Sequence, residues 1–196
     1  MNTPKLVALV SAFAAAAFIA VAADAPAKPY SVTLSDAHVC CHSCVVGATA
    51  AVASLKDVKA DADIDKKTIV VTAPDQATAQ KAVNLLTGAG FFGKSSDAAI
   101  KVDASTGAKD EKVSSLEVKN LHLCCGSCVK AVNAVLADVP GVKANDAKTK
   151  ATSFTITGDF KPTDVFAAFQ KAGLTGKAGA TKPEAPAAPA TPAAKS

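Results

Sequence analysis

Two seven-residue phrases, 84 residues apart, hold every thiol and every imidazole of this chain: His38-Val39-Cys40-Cys41-His42-Ser43-Cys44 and His122-Leu123-Cys124-Cys125-Gly126-Ser127-Cys128. Soft, deprotonatable side chains gathered this tightly are the raw material of metal chemistry. In each phrase a C-x-x-C, Cys41/Cys44 or Cys125/Cys128, stands where an alternating apolar segment gives way to a helix-spaced one. That spacing lets both sulfurs converge on one point at the start of a helix, where unpaired N–H groups and the positive dipole end favour thiolate over thiol. Two thiolates with no carboxylate nearby suit a soft monovalent ion better than Mg or Ca.

The remaining residues of the phrases are auxiliary candidates. Cys40 and Cys124 could supply a third sulfur, and His38, His122 or His42 a nitrogen; three sulfurs and an imidazole would satisfy tetrahedral Zn(II). Adjacent residues of a strand point to opposite sides, which argues against Cys40 and Cys41 reaching the same ion. His38 and His122 are expected to pack against the loop rather than ligate. Ser43 and Ser127 read as helix N-caps, not nucleophiles, and no G-x-S-x-G context or other catalytic constellation is present, so no enzymatic activity is expected. Disulfide pairing fits poorly. Neighbouring Cys40 and Cys41 lie about 3.8 Å apart at Cα, below the usual disulfide range, and a Cys41–Cys44 bridge closes too short a loop to restrict the unfolded chain.

The elements that position these phrases are themselves duplicated. Shifting the sequence by 84 residues superposes Val45, Ala48, Val52 and Leu55 on Val129, Val132, Leu136 and Val139, a helix-spaced apolar stripe, and Val32 and Leu34 on Leu116 and Val118. Each copy reads as strand, cysteine loop, helix, two strands, helix, strand. In copy one these are Tyr30–Ala37, a helix from Ser43 to Leu55, Lys59–Ile64, Thr68–Thr72, a helix from Asp75 to Leu86, and a short strand near Ala98–Val102. In copy two they are Val113–Leu121, Ser127–Ala137, Val142–Ala147, Thr152–Thr157, a helix from Thr163 to Lys171, and a weak strand after Lys177. Ala89-Gly90 and Ala172-Gly173 stop the second helices. Phe92, Phe154, Phe160, Phe166 and Phe169 are expected in the core, and so is Phe91, with a place beside the cysteine loop as the alternative. The fold class is α+β: two ferredoxin-like βαββαβ sandwiches in tandem.

At this point the chain resembles a known family. Motif, element order and duplication together make each copy similar to a heavy-metal-associated (HMA) domain, the module of copper chaperones, copper-transporting ATPases and periplasmic mercury-binding proteins. Its Met-x-Cys-x-x-Cys signature matches at Cys41 and Cys44 and at Cys125 and Cys128, with Val39 and Leu123 at the Met position, and Cys40 and Cys124 where Thr is common. The resemblance implies a soft-metal-ion binding protein that captures, buffers or hands over metal by stepwise thiolate exchange. Cu(I) is the first expectation, with Hg(II), Zn(II) and Cd(II) as alternatives. The implied partners are the ion itself and a metal-donor or acceptor protein or a transporter. Two readings compete: a thiol–disulfide oxidoreductase using C-x-x-C, and a structural protein closed by disulfides or by one Zn(II) shared among Cys41, Cys44, Cys125 and Cys128.

Composition sets the outer bounds. Residues 1–23, with Lys5, an apolar run from Leu6 and the small residues Ala20–Ala23, read as a secretory signal peptide, which implies a periplasmic or secreted protein with no stable membrane span after cleavage. The two domains are then residues 30–103 and 113–178, joined by a polar linker, 104–112, and followed by a disordered Ala/Pro tail, 179–196. The charge of +4 comes wholly from Lys; without Arg or Trp no nucleic-acid partner is expected.

Overall fold

The computed structural model describes residues 28–183; the expected signal peptide and most of the expected tail lie outside the described residues. Alternation builds the first sheet. Val32 and Leu34 of β1 (Tyr30–Ser35) face the interior opposite Val71 and Ile69 of β3 (Thr68–Ala73). β2 (Lys59–Asp63) pairs with β3 on its other side, and the tight turn between them is held by the Asp63 carboxylate, which accepts from the amides of Asp65 (3.0 Å) and Lys66 (2.9 Å). Helix α1 (His42–Val52) turns Cys44, Ala48 and Val52, one residue in four, onto this sheet. Helix α2 (Gln76–Gly88) adds Ala79, Ala82, Val83 and Leu86. Asp75 caps α2 by accepting from the Thr78 amide at 2.7 Å. β4 (Lys94–Ser95) completes an antiparallel sheet of order β2-β3-β1-β4.

The second half repeats the plan with β5 (Val113–Lys119), α3 (Gly126–Ala137), β6 (Val142–Asn145), β7 (Ser153–Phe160), α4 (Pro162–Lys171) and β8 (Lys177–Pro183), in the order β6-β7-β5-β8. Cys128, Val132 and Leu136 repeat the α1 stripe. Its core is aromatic where the first is aliphatic: Phe154 and Phe166 stand edge-on to Phe169 at 6.4 and 6.2 Å, a preferred ring geometry. Four helices over two four-stranded antiparallel sheets are the arrangement expected of tandem ferredoxin-like units.

Several boundaries differ from expectation for local reasons. The strand expected near Ala98–Val102 is instead the two-residue β4, because the Lys101 backbone is taken by Gln80 of α2: its amide donates to Gln80 Oε1 and its carbonyl accepts from Gln80 Nε2, both at 2.7 Å. The weak strand after Lys177 is a full seven residues, and it includes 179–183, which composition assigned to the tail. Its mostly exposed side chains contribute little; ladder bonds to β5 and the Glu117 carboxylate, which accepts from the Ala180 amide, hold it. Segment 103–112 is no free tether. Asp103 pairs with Lys177 at 3.2 Å, the Thr106 carbonyl accepts from the Ala178 amide, and Asp110 accepts from Thr163 Oγ1. Phe92, expected in the core, is only half-buried, whereas Phe91 is 1% exposed. Among the described residues no helix is long and apolar enough to cross a membrane.

Candidate metal centre

Each cysteine phrase starts where β1 or β5 ends in a residue of positive φ, Asp36 (+58°) or Asn120 (+56°). The turn frees the following residues from strand alternation. Val39 and Leu123 drop into the core, at 0% and 4% exposure, and the flanking cysteines are left at the surface of the loop. The helices then begin one residue sooner than expected. Cys41 and Cys125, not Ser43 and Ser127, are the N-caps, with extended backbone, and the Cys41 carbonyl accepts from the amides of Cys44 (2.9 Å) and Val45 (3.4 Å). Ser43, Ser127 and His42 are exposed.

The two halves meet loop to loop, with equivalent residues making equivalent contacts. The Gly173 carbonyl, just past α4, accepts from the amides of His38 and Phe92, each at 3.1 Å, and the Gly90 carbonyl, just past α2, accepts from the amide of Thr175 at 3.2 Å. Phe91 and Leu174 pair across the seam and are fully buried. Phe91 also stacks on His122, with ring centroids 4.4 Å apart, so it serves as core and as neighbour of the cysteine loop at once. Both glycines need their freedom: at φ +90° Gly90 lies where a Cβ would meet the His122 amide nitrogen at 2.5 Å, and at φ +75° Gly173 lies against the backbone of Asp36 and His38. Nothing in the helix-stop reading of these glycines revealed this second role; the signal was that each stands just past the second helix of its copy, 83 residues apart.

This docking brings all six sulfurs into one cluster. Within the motifs, Cys41–Cys44 and Cys125–Cys128 are both 3.9 Å apart. Across the seam, Cys41–Cys125 is 3.4 Å, Cys44–Cys124 3.5 Å, Cys40–Cys128 3.6 Å and Cys44–Cys128 4.0 Å. Cys40 and Cys124 are not bystanders pointing away: they lie 3.6 and 3.5 Å from Cys44 and Cys128 of their own loops, and Cys40 shares a group with Cys41 and Cys44 in which all ligand atoms lie within 4.8 Å. The expectation that Cys40 and Cys41 diverge fails because neither belongs to a strand. Cys44 and Cys128 are fully buried; the other four are half-buried.

The imidazoles cross over. His38 joins Cys40 and the opposite Cys128 within 4.8 Å, and His122 reaches the opposite Cys44 and lies on Gly47 of α1. The Nε2 atoms of both histidines are buried and find no hydrogen-bond partner among the described residues. Packing against the loop is therefore only half of their description, since a buried polar atom left unpaired is costly.

Electrostatics divide the thiols. Cys125 is drawn down to about 6, first by the backbone amide of Cys128 at the start of α3 and against the cost of burial. Cys44 is lowered, chiefly by the S–H of Cys128, and the thiolate so formed holds Cys128 strongly protonated. Burial raises Cys40 to about 12 and raises Cys124 as well. Without a cation the cluster therefore keeps several protons, because neighbouring thiolates repel. Burial likewise lowers His38, which leaves its ring neutral, the form that can ligate.

No family model matches the chain. No curated protein matches it either. Among solved structures, the chain is similar to the N-terminal soluble domains of Bacillus subtilis CopA, at 14% identity over 78% of this chain and 95% of that one, with a TM-score of 0.29. A likeness of that size carries no weight for the fold or the function, which rest on the sheet order and on the sulfur cluster.

Proposed function

We propose that the chain is an exported soft-metal-ion binding protein, with Cu(I) as its first cargo and Hg(II), Cd(II) or Zn(II) as alternatives, that captures, buffers or passes on metal through Cys41, Cys44, Cys125 and Cys128. One observation carries the reading: six free sulfurs converge beside two imidazoles whose buried Nε2 atoms lack hydrogen-bond partners among the described residues. Protonated thiols 3.4–4.0 Å apart gain little from one another, whereas thiolates at that spacing need a cation between them. Sulfur and neutral imidazole, with no carboxylate in any of the ligand groups, select soft ions over Mg or Ca. The half-buried cysteines leave an open side from which a donor or acceptor protein, or a transporter, can exchange thiolates stepwise.

The test is anaerobic titration of the reduced chain with Cu(I), followed by equilibrium competition against a Cu(I) chelator. Binding that is tight in the native protein and lost in the Cys41→Ser/Cys125→Ser variant supports the reading; an unchanged affinity abandons it. The low Cys125 pKa also suits a redox thiol. Turnover of a disulfide substrate at catalytic rates, such as insulin reduction with a recycling thiol, would favour that reading instead.

A further inference from the structure

We infer that the six cysteines form one shared thiolate cage that takes four monovalent soft ions as a single cluster, rather than two independent two-sulfur sites or one clamping Zn(II). The inference rests on the soft-metal reading above and adds to it the number of ions and their arrangement.

The sulfur positions describe a distorted octahedron. None of the short contacts joins Cys40 to Cys124, Cys41 to Cys128, or Cys44 to Cys125, so these are its three pairs of opposite corners. The edges running between the pairs are closed at 3.4–4.0 Å, or within 4.8 Å for Cys40–Cys41 and Cys124–Cys125; only Cys40–Cys125 is left open. Four alternate faces of an octahedron meet only at corners. Here they are Cys40/Cys41/Cys44, Cys41/Cys124/Cys125, Cys44/Cys124/Cys128 and Cys40/Cys125/Cys128. The first three are compact sulfur triads. The fourth contains the open edge, and there His38 stands with Cys40 and Cys128 within 4.8 Å, its Nε2 buried and unpartnered. A donor lies where the sulfur set is incomplete.

Distances favour three-coordinate ions. With metal–sulfur bonds of about 2.3 Å, a linear pair of sulfurs spans about 4.6 Å and a trigonal ion holds its sulfurs about 4.0 Å apart. The two C-x-x-C pairs, at 3.9 Å, match the trigonal figure and are too close for the linear one. Each sulfur then bridges two faces, apart from Cys125 when His38 takes its place. Charge points the same way. Four monovalent cations and six thiolates leave a net charge of about −2, which the starts of α1 and α3 and the Lys67 ammonium, donating to the Val39 carbonyl at 2.9 Å, are placed to offset. Divalent Zn(II) wants four donors per ion, and six sulfurs cannot supply four such ions. Binding is balanced by protons: each cysteine still protonated when it takes a metal releases one to solvent, with no change in oxidation state.

The deciding experiment is native mass spectrometry of the reduced full chain titrated anaerobically with Cu(I), with X-ray absorption of the loaded protein. The expected result is a cooperative step to four Cu(I) per chain, with a short metal–metal vector and trigonal sulfur coordination. The Cys40→Ser/Cys124→Ser variant, which keeps both C-x-x-C pairs, should fall to two ions or fewer and lose the metal–metal vector, with its circular dichroism unchanged. Two ions per chain without a metal–metal vector in the native protein, or four ions retained in the variant, overturns the cage but leaves soft-metal binding standing. No binding at all overturns both.

Discussion

Gly173→Ala separates the seam from the domains that meet there. A Cβ on Gly173 would strike the carbonyl oxygen of Asp36 and approach the His38 amide nitrogen to 2.5 Å. These are backbone atoms of the other domain, so no rotamer change relieves the clash; the halves must part. Two costs follow. Placing alanine at φ +75° costs about 1–2 kcal/mol, and this falls on the second domain whether docked or not. Parting the seam loses the bonds from His38 and Phe92 to Gly173 and from Thr175 to Gly90, each worth about 0.5–1.5 kcal/mol. Together these weaken docking by about 1.5–4.5 kcal/mol, roughly ten- to a thousand-fold, at about 1.4 kcal/mol per factor of ten. The second domain should lose roughly 4–16 °C in Tm, at about 4–8 °C per kcal/mol. X-ray scattering of the metal-free variant should show a larger radius of gyration, and its Cu(I) capacity should drop to what two separate C-x-x-C pairs hold. Gly88→Ala is the control: a Cβ there meets nothing within 4 Å, and alanine inside α2 should raise stability by about 0.5–1 kcal/mol. An unchanged radius and capacity in Gly173→Ala would show that these glycine contacts do not hold the halves together.

Gly47→Ala should stabilise α1 by up to about 1 kcal/mol yet displace His122, whose Cε1 would lie 2.8 Å from the new Cβ; a histidine-edited NMR spectrum should shift while Tm holds or rises. Phe91→Ala should cost about 3–5 kcal/mol by emptying a fully buried site between the domains, read as lost urea resistance together with a larger radius. In the metal-free protein, alkylation of Cys125 should rise with pH through a midpoint of about 6 and level off by pH 8, since a lowered pKa makes it thiolate above that value; mass mapping that finds its midpoint near the ordinary 9.0 would refute this. Asp75→Ala should remove about 1 kcal/mol through the lost α2 cap and leave metal capacity intact, as measured by chemical denaturation and titration.

Much of this architecture was legible in one dimension because it rests on local periodicity. Val32, Leu34, Ile69 and Val71 alternate because a pleat has period two, and Cys44, Ala48 and Val52 recur because a helix turns every 3.6 residues. The same patterns put each C-x-x-C at a strand-to-helix turn and marked the duplication. The edges of the sheets were harder. β4 is short because Gln80, fourteen residues upstream of it, takes the Lys101 backbone, and β8 is long because β5 offers it a ladder; neither partner is visible in the segment itself. Local periodicity alone specifies two similar units, each presenting sulfur at a helix start. The packed fold brings Cys40 and Cys124 to the C-x-x-C sulfurs and carries His38 and His122 into the opposite half. It also decided that six thiols form one cluster rather than two. That outcome depends on two glycines close to the other half's backbone and on Phe91 against Leu174, contacts between residues 30 or more positions apart that no periodicity encodes.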